Sequence, residues 1–418
     1  MFLRRIALDN VRSIEQLDLP VTTAEGDPRK WTFVLGENGT GKSTLLRSVA
    51  LVLAGSDALP ELLGTPSDWV RFGKKEARIH ADLVTAGGEA RTADLTIARD
   101  DTFLMVVDRN REHLEGLDAA FQHTARSYFT VGYGVSRRPS EQETSLSKGA
   151  SPFRDTRARN VATLFSPHAT LTSLESWAMD VDYRGGGFET VRKALDSLLP
   201  GVTLKGIDRD AGQLMFETPD GPTPYRLLSE GYQNVAAWAG DLLYQITNVF
   251  QDFDDPTSAR GLLLVDEIDL HLHPTWQRQL MEFIGSRFPK LQIIGTTHSP
   301  LTVHQAGAGE LFFLRRESPA QPATLHAYEG APRDLMLQQL LTSPLFGLTT
   351  VDSSHVEGLK DEYRQLRDAD KRTRKENARL KELTDELQDL PDWTEGIEGQ
   401  DEVKELLRDV KSELASRS

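Results

Sequence analysis

A chain of 418 residues, 39% hydrophobic and 27% charged, has the make-up of a globular protein: roughly two or three domain-sized units, or one large α/β unit with insertions. The absence of cysteine excludes disulfide staples, thiolate nucleophiles and cysteine-built zinc sites. A formal net charge of −15 argues against coating nucleic acid as the main task, while leaving room for a local basic patch.

The opening residues Met1-Phe2-Leu3-Arg4-Arg5-Ile6 lead straight into alternating apolar and polar positions and lack a secretory leader, which predicts a cytoplasmic location. No run reaches the roughly 18 apolar residues of a membrane span, so no membrane partner is expected. Residues 2–9 and 14–19 read as a hairpin turning at Asn10-Val11-Arg12-Ser13, ahead of a buried strand at 31–35 and a helix at 43–53. Strands are predicted at 77–84, 90–98 and 102–107, giving an antiparallel sheet beside the first helix, then a helix at 112–123 and a buried strand within 127–134. Residues 136–159 interleave Arg137, Arg138, Arg154, Arg157 and Arg159 with Ser, Pro and Gly, the pattern of a mobile or ligand-ordered loop. Residues 171–199 read as helical with a break at Gly185-Gly186-Gly187, followed by two strands (203–208, 213–217) and a long helix at 229–250.

Near-continuous apolar strands return at 261–266 and 291–296 around a helix at 275–288, the signature of a sheet buried on both faces; strands at 311–314 and 324–328 complete it. Beyond 352 the chain is highly charged. Leu359, Leu366, Thr373, Leu380 and Leu387 recur every seven residues with Tyr363 alongside, and Asp370 and Asn377 sit on the seam. That pattern predicts a helical hairpin, a short coiled coil or a solvated helix, ended by Pro391 and followed by a last helix at 402–414.

Four elements carry chemistry. Gly36-Glu37-Asn38-Gly39-Thr40-Gly41-Lys42-Ser43-Thr44 holds the full phosphate-loop spacing between an apolar strand and a helix. Glycines let successive N–H groups surround phosphates, Lys42 offers a point charge, and the Ser43 hydroxyl suits Mg²⁺. The run Leu262-Leu263-Leu264-Val265-Asp266-Glu267 delivers Asp266 to a strand's carboxyl end, to hold the Mg²⁺ shell, with Glu267 placed to polarise a water. Leu228-Ser229-Glu230-Gly231-Tyr232-Gln233 opens a helix, where Ser229 either caps that helix or, with Gly231, meets the γ-phosphate held by another subunit. Ile293-Ile294-Gly295-Thr296-Thr297-His298-Ser299-Pro300 ends a buried strand on His298, placed to sense that phosphate. His271-Leu272-His273 alternates two imidazoles but lacks a third ligand for a metal.

In chain order, 36–44, 228–233, 262–267 and 293–300, the four elements resemble the prokaryotic AAA/ABC-type ATPases grouped with RecF, SMC heads and the OLD family. They resemble most the stand-alone ATP-binding proteins of phage-defence operons, such as the ATPase of Septu-like systems. The resemblance covers residues 1–328 and is weakest in 55–223. It implies an α/β ABC-ATPase head over 1–350: a mixed sheet with a P-loop core, an antiparallel β subdomain, and a helical lid and signature subdomain inserted at 136–250. A charged helical tail spans 351–418. It also implies ATP and Mg²⁺ as cofactors, Ser229 and Gly231 acting in trans, Glu267 as catalytic base, Asp269 in the loop after it and His298 as switch histidine. Glu230 departs from the transporter-type signature, which has glycine there. No glutamine-bearing Q-loop is evident, and the region 131–138 is its expected equivalent. Arg12 either reaches a phosphate or is a surface arginine.

The partners expected are a second copy of the chain, as homodimer or higher oligomer, and a separately encoded effector such as a nuclease or toxin, which points to a defence switch. The alternative is a RecF/SMC-like DNA-binding ATPase in repair or end sensing, with nucleic acid sensed by the arginine-rich segment. A built-in nuclease is a poor fit, because the residues after His298 read as short strands and charged helices without a clustered acidic or HNH-like site.

Overall fold

A computed structural model of the chain describes residues 1–418 except 86, 123–128, 138–152, 184–187, 200, 251–255, 319–320, 370 and 389–418. Arg138, Asp370, the Gly185-Gly186-Gly187 break, Pro391 and the last predicted helix therefore lie outside the described residues. The chain divides into two compact units, Met1–Phe346 and Gly347–Ser418.

In the first unit, β1 (Phe2–Val11) and β2 (Ile14–Pro20) form the N-terminal hairpin, and β3 (Trp31–Gly36) runs into the helix Lys42–Val52. β4 (Glu76–Val84) and β5 (Ala90–Ala98) return to β1, making a four-stranded antiparallel sheet in the order β2-β1-β4-β5. β6 (Thr130–Tyr133) is short and buried. β7 (Thr203–Asp208), β8 (Gln213–Thr218) and β9 (Gly221–Pro224) form a three-stranded antiparallel sheet preceding the helix Glu230–Val249. β10 (Gly261–Val265), β11 (Leu291–Thr296), β12 (Leu311–Arg315) and β13 (Thr324–Ala327) complete a six-stranded sheet in the order β13-β12-β3-β11-β10-β6. All its pairings are parallel except β12 with β13. This is the α/β mixed-sheet architecture that the resemblance implied, and its parallel strands include the apolar runs expected to be buried.

Leu262, Leu263, Leu264 and Val265 of β10 are at most 3% exposed. Burying each such side chain stabilises the fold by roughly 1.5–3 kcal/mol. Alternate residues of the strand serve different cores: Leu262 and Leu264 join the one shared with the antiparallel sheet, while Leu263 and Val265 join the one shared with the helix Glu230–Val249. Gln292, 2% exposed, joins two sheets: its side chain accepts from Leu3 N (2.8 Å) and donates to Leu3 O (2.8 Å).

One expectation is corrected. Residues predicted as a strand at 102–107 fall within the helix Phe103–Arg109, capped by Thr102, whose hydroxyl accepts from Met105 N. Val106 is fully buried, and Phe103 and Val107 pack against the same core, while Leu104 and Met105 face solvent. That spacing is helical, and it outweighs the β-propensity of the paired valines. In the second unit the helices Ser354–Asp368 and Arg374–Gln388 pair as a hairpin, with Arg379 bonded twice to Glu362 (3.0 and 2.9 Å). The seven-residue seam is interrupted at Thr373, which shares reciprocal capping bonds with Glu376.

Candidate functional site

The carboxyl ends of β3, β10, β11 and β6 meet along one edge of the six-stranded sheet, where open parallel sheets place ligands. Beyond β3 the chain turns through Gly36, Gly39 and Gly41 at φ of 153°, 77° and 112°. A Cβ at Gly36 would stand 2.7 Å from Leu314 O, and one at Gly41 would stand 2.9 Å from Ile14 Cγ1. Glycine is thus required twice over, by torsion and by space. Thr40 Oγ1 donates to Glu37 O (2.8 Å), closing the turn, and Glu37, Asn38 and Gly39 are exposed. Lys42 Nζ donates to Gly36 O (2.7 Å) and Glu37 O (3.0 Å), folding the ammonium over its own loop. Burial lowers the Lys42 pKa, and the charges of Asp266 and Glu267 oppose that shift. Thr44 follows Ser43 in the first turn of the helix and is partly buried.

Ser43 Oγ donates to Asp266 Oδ2 at 2.5 Å, across 223 residues of sequence. The other Asp266 oxygen, Oδ1, accepts from Thr296 Oγ1 at 2.6 Å. Thr296 in turn accepts from Glu267 N at 2.8 Å, so one hydroxyl organises both acidic residues. Glu267 sits at a φ of 48°, left-handed for a residue with a side chain. On the next peptides, Thr297 Oγ1 donates to the buried Asp269 Oδ2 and accepts from Ser299 N (2.9 Å). Ser299 Oγ donates to Gln277 Oε1 (2.7 Å). His298 lies between these two anchored neighbours with its side chain exposed.

Ser229 and Gly231 stand at the start of the helix Glu230–Val249, where a Cβ at Gly231 would lie 3.7 Å from His271 O. Ser229 occupies the cap position of the helix Glu230–Val249, yet its side chain makes no cap bond and is exposed. Among the described residues no hydrogen bond joins it to Gly36–Ser43. Tyr232 packs edge-on to Trp276 at 4.7 Å, tying this helix to the helix Pro274–Arg287 that follows the acidic pair. His273 caps that second helix, accepting from Thr275 N (3.3 Å), and among the described residues no group of three or more His, Asp or Glu is placed to hold a metal. Arg12 lies over the Trp69 ring at 4.2 Å from its centroid, partly buried, and its pKa is lowered by that burial and by Arg47.

Of the arginine-rich segment, residues 138–152 lie outside the described residues, and Arg137 and Arg157 on either side of them are engaged within the protein. Arg137 donates from Nε to Gly134 O (3.0 Å) and from Nη2 to Asp266 O (2.6 Å) and Glu267 O, turning inward beneath the acidic pair. Arg157 pairs with Asp118 and Asp57 (3.4 and 3.1 Å), and Phe153 is buried in the core. Thr296 and the role of Arg137 were not singled out by the sequence pattern. A hydroxyl at the last position of a buried strand was the only available signal for Thr296.

The donor set, a serine hydroxyl and a carboxylate with oxygen atoms only, fits a hard cation such as Mg²⁺. The glycine-built loop with a lysine folded over it fits a polyphosphate.

Against known proteins, the family model described as "AAA domain, putative AbiEii toxin, Type IV TA system" matches residues 32–304. The chain is 27% identical over 389 residues to the Septu protein PtuA of Bacillus mycoides (strain KBAB4), covering 92% of this chain and 50% of that protein. It is 31% identical over 126 residues to the "Retron Ec83 probable ATPase" of Escherichia coli, covering 30% of this chain and 23% of that protein. The chain thus spans half the length of the first relative and less of the second. Among solved structures, an SMC head bound to the C-terminal winged-helix domain of ScpA aligns at a TM-score of 0.46 and 14% identity, over 79% of this chain and 98% of that one. No helix among the described residues is long and apolar enough to cross a membrane.

Proposed function

This chain belongs to the AAA-domain family matched over residues 32–304, and on that premise we propose that it binds ATP with Mg²⁺ and hydrolyses it between two copies of itself. The observation that carries this reading is the bond from Ser43 to Asp266, which joins the phosphate loop to the acidic strand with Glu267 immediately beside it. Ser43 and Asp266 would hold the cation, which when bound neutralises developing phosphate charge. Lys42 exchanges its two loop carbonyls for β- and γ-phosphate oxygens, and the loop N–H groups and the helix Lys42–Val52 complete the cradle with Gly36, Glu37, Asn38, Gly39, Thr40, Gly41 and Thr44. Glu267 accepts the proton of the attacking water, and the exposed His298 orients that water against the γ-phosphate.

The chain alone presents half of a site. Ser229 has an unspent hydroxyl at an exposed helix N-terminus, and with Gly231 it supplies donors to a nucleotide held by the other copy. ATP therefore acts as the adhesive of a head-to-head dimer, and hydrolysis releases it. Similarity to a Septu protein and a retron ATPase supports a role in prokaryotic antiviral defence, in which this closure controls a separately encoded effector such as a nuclease or toxin. The DNA-clamp alternative loses two of its basic groups, since Arg137 and Arg157 are engaged internally.

The test is ATP turnover and dimerisation of the purified chain. Lys42→Ala should lose nucleotide binding, while Glu267→Gln should bind ATP and accumulate as a closed dimer. Wild-type specific activity should rise with protein concentration. Turnover by Glu267→Gln at the wild-type rate would remove Glu267 as the base.

A further inference from the structure

We infer that Arg137 is the positioning residue for Glu267: it holds the backbone that aims the carboxylate, and touches neither nucleotide nor water itself. This rests on the reading of Glu267 as the base. A guanidinium is a planar fork with five donors, suited to spanning several acceptors at fixed angles. Here the fork spans three carbonyl oxygens, those of Gly134, Asp266 and Glu267. One of them, Asp266 O, belongs to the peptide linking the metal-holding residue to the base, and Glu267 O belongs to the next peptide.

The need for such a clamp follows from the backbone. Glu267 stands at a φ of 48°, a region where a non-glycine residue is held only by its surroundings. Thr296 holds its N–H, and Arg137 with Leu270 N (3.1 Å) holds its C=O. The Cα–Cβ direction of residue 267 is thereby set from both sides. Arg137 is itself anchored in a turn with no slack. A Cβ at Gly134 would stand 2.0 Å from Thr163 O, Gly134 N donates to Thr163 Oγ1 (3.0 Å), and Asp266 N donates to Tyr133 O (2.8 Å). β6 and β10 therefore move as one piece with the guanidinium between their ends.

Electrostatics point the same way. Enclosure lowers the Arg137 pKa to about 10, opposed by the charges of Asp266, Asp269 and Glu267, so the group remains a cation at neutral pH. Asp266 and Glu267 are the same two acids whose charges oppose the Lys42 shift. The Arg137 side chain occupies the region where the Q-loop equivalent was expected, with Nε and Nη2 bonded to protein carbonyls.

The test compares Arg137→Gln, Arg137→Lys, Glu267→Gln and the Arg137→Gln/Glu267→Gln double variant of the full chain, by single-turnover ATP hydrolysis and by equilibrium binding of a fluorescent ATP analogue. Arg137→Gln should slow hydrolysis on the order of 10²-fold while binding stays within about threefold of wild type. Arg137→Lys should recover part of that loss, and the double variant should be no slower than Glu267→Gln alone. Loss of binding that matches the loss of rate would overturn the inference, as would a double variant slowed by the product of the two single effects. Glu267→Gln alone separates the two readings. Wild-type turnover in it sinks the base and this inference together, whereas an inactive Glu267→Gln beside fully active Arg137 variants sinks only the positioning role. Should Arg137→Gln fail to fold, a folded Arg137→Lys decides the matter, and hydrolysis by it at the wild-type rate refutes the clamp.

Discussion

Replacing Thr296 by valine removes one hydroxyl and leaves the shape of the side chain nearly unchanged. Thr296 is fully buried at the end of β11, where its oxygen donates to Asp266 Oδ1 at 2.6 Å and accepts from Glu267 N at 2.8 Å. The substitution strands both partners. A buried N–H left unpaired costs about 1–3 kcal/mol, and a bond to a charged carboxylate contributes about 1.5–3 kcal/mol, for a combined loss of roughly 2.5–6 kcal/mol. At about 2.1 cal/mol/K per residue, a unit the size of Met1–Phe346 unfolds with an entropy near 0.7 kcal/mol/K, so the melting temperature should fall by about 3–8 °C. Turnover should fall as well, by about tenfold or more, because residue 267 loses the anchor on its N–H. Nucleotide binding should persist, since the Ser43–Asp266 bond and the Lys42 contacts do not involve the Thr296 hydroxyl. Thermal denaturation monitored by fluorescence and steady-state phosphate release measure the two effects. A melting temperature within about 1 °C of wild type, with unaltered turnover, would show that Thr296 does not organise the acidic pair.

Two further outcomes bear on the dimer and on a buried carboxyl. Ser229→Arg and Lys42→Ala should each be inactive alone, yet their mixture should regain turnover, because a mixed dimer contains one site with both an intact loop and an intact Ser229; a mixture as inactive as its parts would count against the composite site. Asp241, 5% exposed, accepts from Thr172 N and Tyr133 OH (2.9 Å each), and burial raises its pKa above the ordinary carboxylate value. With the folded pKa above the unfolded one, its stabilising contribution is present below the ordinary value and is lost as pH rises through the folded value. The stability of Asp241→Asn relative to wild type should therefore increase from about pH 4 towards neutrality, and a constant difference in melting temperature across that range would refute the assignment.

The apolar strands of the six-stranded sheet and the helices after them were legible because their signals are local. Apolar runs bounded by turn residues report burial directly, and the 36–43 loop carries its own glycine requirement, confirmed by the positive φ at Gly36, Gly39 and Gly41. Residues 102–107 were misread as a strand because a short run with two valines satisfies both periods until burial chooses between them. The partners of Arg137 and Arg157 were not legible for a different reason. Composition counts charges without showing where they pair, and Arg157 meets Asp57 and Asp118 only once distant helices pack together.

The sequence by itself determined that a phosphate loop, an acidic strand end, a serine-led helix and a histidine-ended strand belong to one chain, since each motif is encoded within a few consecutive residues. Only the tertiary structure decided that β11 lies between β3 and β10, and that placement is what brings the Thr296 hydroxyl against Asp266 and Glu267. Strand order, unlike strand identity, depends on contacts between residues hundreds of positions apart, and no local pattern records them. The same holds for Arg137, which reads as a loop charge until β6 pairs with β10 and its fork closes on the carbonyls of the acidic pair.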